Sequence, residues 1–160
     1  MRAEPSLRLP EKVIRVWRLQ NLLNTLFWLL IPVVYELVRR FIFTNFYEWI
    51  TWVLLALVVL DLIINVIIWP PIRWRRFRYE VYDDEIDIRE GVLVVTRTLV
   101  PMVRVQHVDT VQGPILRKHD MSVVSITSAA ETHEIPGLDV ADADQVRDQI
   151  AKLAAVTEDD

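Results

Sequence analysis

Residues 50–69 read ITWVLLALVVLDLIINVIIW, a run of 20 residues with one charged side chain, Asp61. A hydrocarbon core about 30 Å thick takes roughly 20 helical residues, so this stretch predicts a transmembrane helix. A second run lies upstream: Leu19 to Val38, LQNLLNTLFWLLIPVVYELV, has the same length and its one charge, Glu36, near its end. Pro70-Pro71 is read as the stop of the later helix, because proline cannot continue the backbone ladder. Pro32 is read as a kink that frees the Trp28 carbonyl. The two runs form a hairpin joined by residues 39–49, a short outer loop rich in aromatics (FIFTNFYEW). The apolar stretch is too long for a cleaved signal peptide, and no small-residue cleavage site follows it.

The charges are asymmetric. Residues 1–78 hold 11 Lys/Arg against 5 Asp/Glu, and residues 79–160 hold 7 against 17, which together give the net charge of −4. Arg2, Arg8, Lys12, Arg15 and Arg18 precede the first span, and Arg73, Arg75, Arg76 and Arg78 follow the second. Only Arg39 and Arg40 stand between them. Basic flanks stay on the cytoplasmic side, so both termini are expected inside an inner, cytoplasmic membrane crossed twice. Residues 1–18 then form a basic cytoplasmic segment, 19–38 and 50–69 the spans, and 76–156 a cytoplasmic domain. Arg73, Arg75, Arg76 and Arg78 are candidate contacts for anionic lipid. The absence of cysteine excludes disulfides, thiolate metal sites and Cys nucleophiles. Three dispersed glycines exclude a dinucleotide or phosphate loop.

Polar residues in hydrocarbon are costly and mark sites. Asp61 and Asn65 share one helix face, as do Asn21, Asn24 and Thr25. Their similar depths predict hydrogen bonds across the hairpin through Asn21, Asn24, Asp61 and Asn65. An ion or proton path through Asp61 is the alternative, but two helices with one acid offer few ligands for it.

After about Arg76 the period changes from helix to strand. Tyr79, Val81, Ile86 and Ile88 alternate with charged residues, and Asp83-Asp84 and Glu90-Gly91 signal turns. The acids Asp83 to Glu90 read as a solvated hairpin face. Val92–Val100, Arg104–Gln112, Met121–Thr127 and Glu131–Ile135 read as further strands, the second with a bulge. Pro136-Gly137 is read as the end of the sheet, and Asp139 as an N-cap. Val146, Ile150 and Leu153 form one apolar helix stripe. The fold class is an α hairpin plus an α+β domain, a bent sheet or barrel closed by a C-terminal helix.

Three stretches carry a resemblance: RYEVYDDEIDIREGVL, VPMVRVQHVDTVQGPILRKHDMSVVSIT, and a His–Ile–Pro–Gly segment leading into the last helix. With the two preceding spans they resemble the bacterial pleckstrin-homology-like (PH-like) domain of membrane-flanked proteins. The most specific phrase is Arg104 to Val108 with Gln112-Gly113-Pro114. His119-Asp120 departs from it, since the family often has a glycine entering the next strand. The resemblance implies a cytoplasmic module held at the membrane, without established chemistry. It also implies assembly with a related multi-module membrane protein.

His107, His119 and His133 have no metal spacing, and Ser122, Ser125 and Ser128 lack a nucleophile elbow. No catalytic residue, metal, cofactor or nucleic-acid partner is expected. Gln106, His107, Gln112 and Arg117 are the candidate partner contacts. Arg97, Arg104, Arg117 and Lys118 would have to converge to make a headgroup pocket. The sequence therefore implies a non-enzymatic, membrane-anchored scaffold working through protein–protein assembly, with itself or with a relative. Anionic headgroup recognition, or a small transport component using Asp61, are the alternatives.

Overall fold

The computed structural model describes residues 4–41, 47–129 and 131–158. The chain divides into two compact units, residues 17–71 and residues 1–16 with 72–160. The first is helical. It takes most of α1 (Lys12–Trp28), all of α2 (Leu30–Phe41) and α3 (Glu48–Leu62), a π-helical stretch Ile63–Ile68, and the start of α4 (Trp69–Arg76). The helical stretches Lys12–Phe41 and Glu48–Arg76 are each long and apolar enough to cross a bilayer, and their apolar windows are only 11% and 0% buried. A helix of a water-soluble core buries its apolar face. Here Leu26, Phe27, Leu57 and Leu60 stay exposed, which suits lipid and not water.

Pro32 interrupts the first stretch at Leu29, between α1 and α2. The second stretch corrects the sequence reading, because Pro70-Pro71 does not end it and the helix runs on to Arg76. The wider π register accommodates the prolines. In it Trp69 N–H donates to the Ile64 carbonyl, so the donor facing the Asn65 carbonyl is Pro70, which has no N–H. The aromatic connection falls largely on residues 42–46, outside the described residues.

The second unit is the domain for which the resemblance implies a PH-like fold, called the PH-like unit below. Antiparallel β1 (Arg78–Val81), β2 (Glu85–Glu90) and β3 (Thr96–Pro101) form one sheet. Antiparallel β4 (Val105–Val111), β5 (Met121–Ser128) and β6 (Thr132–Asp139) form another, and α6 (Val140–Glu158) follows. Ile86, Ile88, Val100, Val124, Ile126, Ile135 and Ile150 are buried between these elements. The bulge expected in β4 lies between Val105 and His107. Asp120 has φ 53°, the left-handed conformation that a glycine would otherwise supply, so the departure at His119-Asp120 keeps the turn.

Three further readings are corrected. Val92–Val95 is a loop, and β3 begins only at Thr96. Pro136-Gly137 does not end the sheet; β6 is an edge strand, where a missing N–H costs no ladder bond, and it continues to Asp139 past a register shift opposite Ser122 and Val124. Asp87 is no solvated acid. It is fully buried, and Arg97 donates to it from Nε at 3.1 and 3.0 Å and from Nη2 at 2.6 Å. That carboxylate holds the Arg97 guanidinium above its usual basicity.

The N-terminal segment belongs to this unit. Leu7 and Tyr79 exchange backbone hydrogen bonds, each 3.2 Å, so the segment adds a bridge to the outer edge of β1. Trp74 Nε1 donates to the Leu9 carbonyl at 2.8 Å, and Leu9, Val13 and Val16 are buried. Burial raises the Tyr79 hydroxyl pKa, aided by the charge of Asp142. Gly137 has φ +78°, and a Cβ there would overlap the Val13 side chain. A Gly137→Ala substitution therefore adds left-handed strain of about 1–2 kcal/mol to overpacking of about 1–3 kcal/mol. Thermal unfolding of the full chain should start several degrees lower. Adding Val13→Ala should recover only the packing part, and full recovery would show that the backbone is unstrained.

Candidate functional site

Within the helical unit the polar side chains form one ladder. Thr25 Oγ1 donates to Asp61 Oδ2 at 2.6 Å, and Asn65 Nδ2 donates to Asp61 Oδ1 at 2.6 Å. Asn21 Nδ2 donates to the Asn65 carbonyl at 2.6 Å, supplying the hydrogen that Pro70 lacks. Nearer the other end, Thr51 donates to Glu36 at 2.9 Å, and Arg39 donates to both Glu36 oxygens at 2.9 and 2.7 Å. These pairs set a single antiparallel register for the spans. Both Asp61 oxygens accept a hydrogen bond. A cavity of about 220 Å³ opens beside Asp61 between Trp28, Pro32, Leu54 and Leu57.

Of the predicted intramembrane set, the structure brings together Asn21, Asp61 and Asn65. Asn24 is exposed and takes no part in the ladder, and Thr25 stands in its place, almost fully buried. The reason is helical phase. Asn21 and Thr25 are four apart, like Asp61 and Asn65, whereas Asn24 is turned away by one residue.

In the PH-like unit, Gln106 and His107 are exposed on β4, and His107 Nδ1 lies 3.0 Å from the Gln106 carbonyl. β4 is an edge strand, paired with β5 alone among the described residues. A groove of about 280 Å³ lies between Val105–Val108 and Ala151, Ala154 and Ala155 of α6. Gln112 is not in it; its Nε2 donates to the Met121 carbonyl at 3.0 Å and holds the strand end. Arg117 is exposed on α5 (Pro114–Lys118). Of the candidate headgroup set, Arg97 is held by Asp87, Arg104 lies in the short helical turn Met102–Arg104, and Arg117 and Lys118 lie on α5. Among the described residues no three His, Asp or Glu side chains are grouped to hold a metal ion.

The juxtamembrane arginines are placed differently. Arg75, Arg76 and Arg78 line a cavity of about 180 Å³ with Arg89, Glu4 and Val95. Arg89 donates to Glu4 at 2.5 Å, and Arg76 to the Val92 carbonyl at 2.9 Å. Arg73 does not line that cavity. Sequence reasoning missed Arg89, because only strand register carries it to the arginines of the span.

Two apolar helices followed by two three-stranded sheets and a C-terminal helix define a membrane protein with a PH-like domain. Residues 25–154 match the Bacterial PH domain family, and the chain belongs to it. Among known proteins, it is 44% identical over 160 residues to the UPF0699 transmembrane protein YdbS of Bacillus subtilis (strain 168), covering all of this chain and 99% of that one. It is 27% identical over 88 residues to the UPF0699 transmembrane protein YdbT of the same organism, covering 52% of this chain and 18% of that one. No solved structure matches.

The ladder yields a direct test. Asn21→Leu should lower the stability of the helical hairpin by about 0.5–2 kcal/mol, read as a shift in the denaturation midpoint of the full chain in mild detergent. Asn24→Leu should leave that midpoint unchanged. Equal effects would mean that Asn21 has no special partner.

Proposed function

We propose that the protein is a non-enzymatic membrane-anchored scaffold. In this reading the hairpin crosses the inner membrane with both termini in the cytoplasm, and β4 with the α6 groove receives a second membrane chain carrying a like module. That chain is a copy of this one or a longer relative. The basic flanks support the orientation. The single observation that carries the reading is the edge of β4. It pairs with β5 alone among the described residues, which suits strand addition on its other side, and the groove beside it is floored by alanines that leave room for an incoming side chain.

The absence of cysteine makes the test clean. Gln106→Cys, introduced into the full chain and oxidised in native membranes, should give a disulfide-linked product whose partner carries a PH-like segment. Asp83→Cys, on the turn between β1 and β2, should not. Ala154→Trp, which fills the groove, should reduce the cross-link at least several-fold. A monomer under oxidation, or equal yields from both positions, would overturn the assignment of β4.

A further inference from the structure

The first sheet holds like charges opposite one another. Arg78 faces Arg89 across β1 and β2, and Arg89 faces Arg97 across β2 and β3. Directly opposed like charges cost stability in a sheet. Arg97 is neutralised internally by Asp87. The other two are not neutralised to the same degree. Arg78 and Arg89 line their cavity with Arg75 and Arg76, and among the described residues the one acid lining it is Glu4, whose side chain is 72% exposed. Four guanidiniums against one carboxylate leave an excess of three positive charges. Burial, then the charges of Arg8 and Arg89, lowers the basicity of Arg78. The acidic turn Asp83-Asp84 lies beyond the far end of β1, about 17 Å from Arg78 along an extended chain, which exceeds a Debye length of ~8 Å at physiological salt.

An apolar loop adjoins this basic cavity. Gly91, at φ +111°, turns the chain into Val92–Val95, where Leu93 is 84% and Val94 78% exposed. The loop is fastened to the cluster at both ends, since Arg76 holds the Val92 carbonyl and Val95 lines the cavity. Arg75 and Arg76 follow Trp69, the last residue of the apolar run, by six and seven residues, about 10 Å of helix. A basic pocket beside exposed Leu and Val, tied by the chain to the end of a span, matches the chemistry of a headgroup phosphate above acyl chains.

We infer that Arg75, Arg76, Arg78 and Arg89 form a site for the phosphate of an anionic membrane lipid, with Leu93 and Val94 entering the bilayer beside it. The site is separate from the β4 edge and stands whether or not that edge binds a partner. It differs from a diffuse basic flank in needing Arg89, which no positive stripe along the chain includes. Glu4 competes with the phosphate for Arg89.

The test uses the full chain in nanodiscs. Leu93→Cys, the only cysteine, carries an environment-sensitive dye. The emission should shift to the blue in nanodiscs of phosphatidylglycerol and phosphatidylcholine relative to phosphatidylcholine alone. Arg89→Gln should abolish most of that shift, Arg75→Gln, at an exposed position, should reduce it, and Glu4→Gln should preserve or enlarge it. Equal emission in the two lipids, or a shift indifferent to both arginine variants, overturns the site. Inorganic phosphate added to the phosphatidylcholine nanodiscs should not reproduce the shift; if it does, the site takes free phosphate and the lipid assignment fails.

Discussion

Hydrocarbon offers a backbone no hydrogen-bond partners, so every main-chain group in a span must find one within the protein. Three prolines remove donors from these two helices: Pro32, Pro70 and Pro71. The helical unit is organised around that shortage. A π stretch absorbs Pro70-Pro71, and the carbonyl it strands at Asn65 takes its hydrogen from Asn21. The Asn65 side chain meanwhile donates to Asp61, whose second oxygen is held by Thr25. One polar ladder thus completes the backbone of one helix and fixes its register against the other. Removing the Asp61 side chain would leave two donors without acceptors.

The PH-like unit meets a different problem, that of a small core. Residues 72–160 alone would leave an open edge at β1. The segment before the first span closes it through the Leu7–Tyr79 bridge and buries Leu9, Val13 and Val16. The unit is therefore assembled from both sides of the hairpin in sequence. The buried Asp87–Arg97 pair works as a local lock within the first sheet. Breaking it from one side would leave a charge without its partner.

Much of this was legible from residues alone. The two spans follow from length and apolarity, and the strands from alternation at Tyr79, Val81, Ile86 and Ile88. The bulge follows from the spacing of Val105, Val108 and Val111. What was not legible depended on register or on tertiary rescue. Proline at 70–71 and at 136 signals a stop in the sequence, yet a π turn and an edge position carry the elements through. The run Val92–Val95 has strand composition, but its loop conformation is set by Gly91 and by Arg76 capping the Val92 carbonyl. Asn24 looked equivalent to Asn21 until helical phase separated them. The apolar spacing of Leu7, Leu9, Val13 and Val16 was the available sign that the N-terminal segment packs.

In the proposed topology the two apolar helices cross the membrane as a hairpin and the PH-like unit lies on the cytoplasmic side. The most direct measurement is labelling of single cysteines in intact cells with a membrane-impermeant maleimide. Glu48→Cys, at the start of α3, should react from outside. Ala129→Cys, between β5 and β6, should react only after the cells are opened. Reaction of Ala129→Cys in sealed cells, or release of the full-length chain from membranes by a high-salt, alkaline wash, would contradict the account.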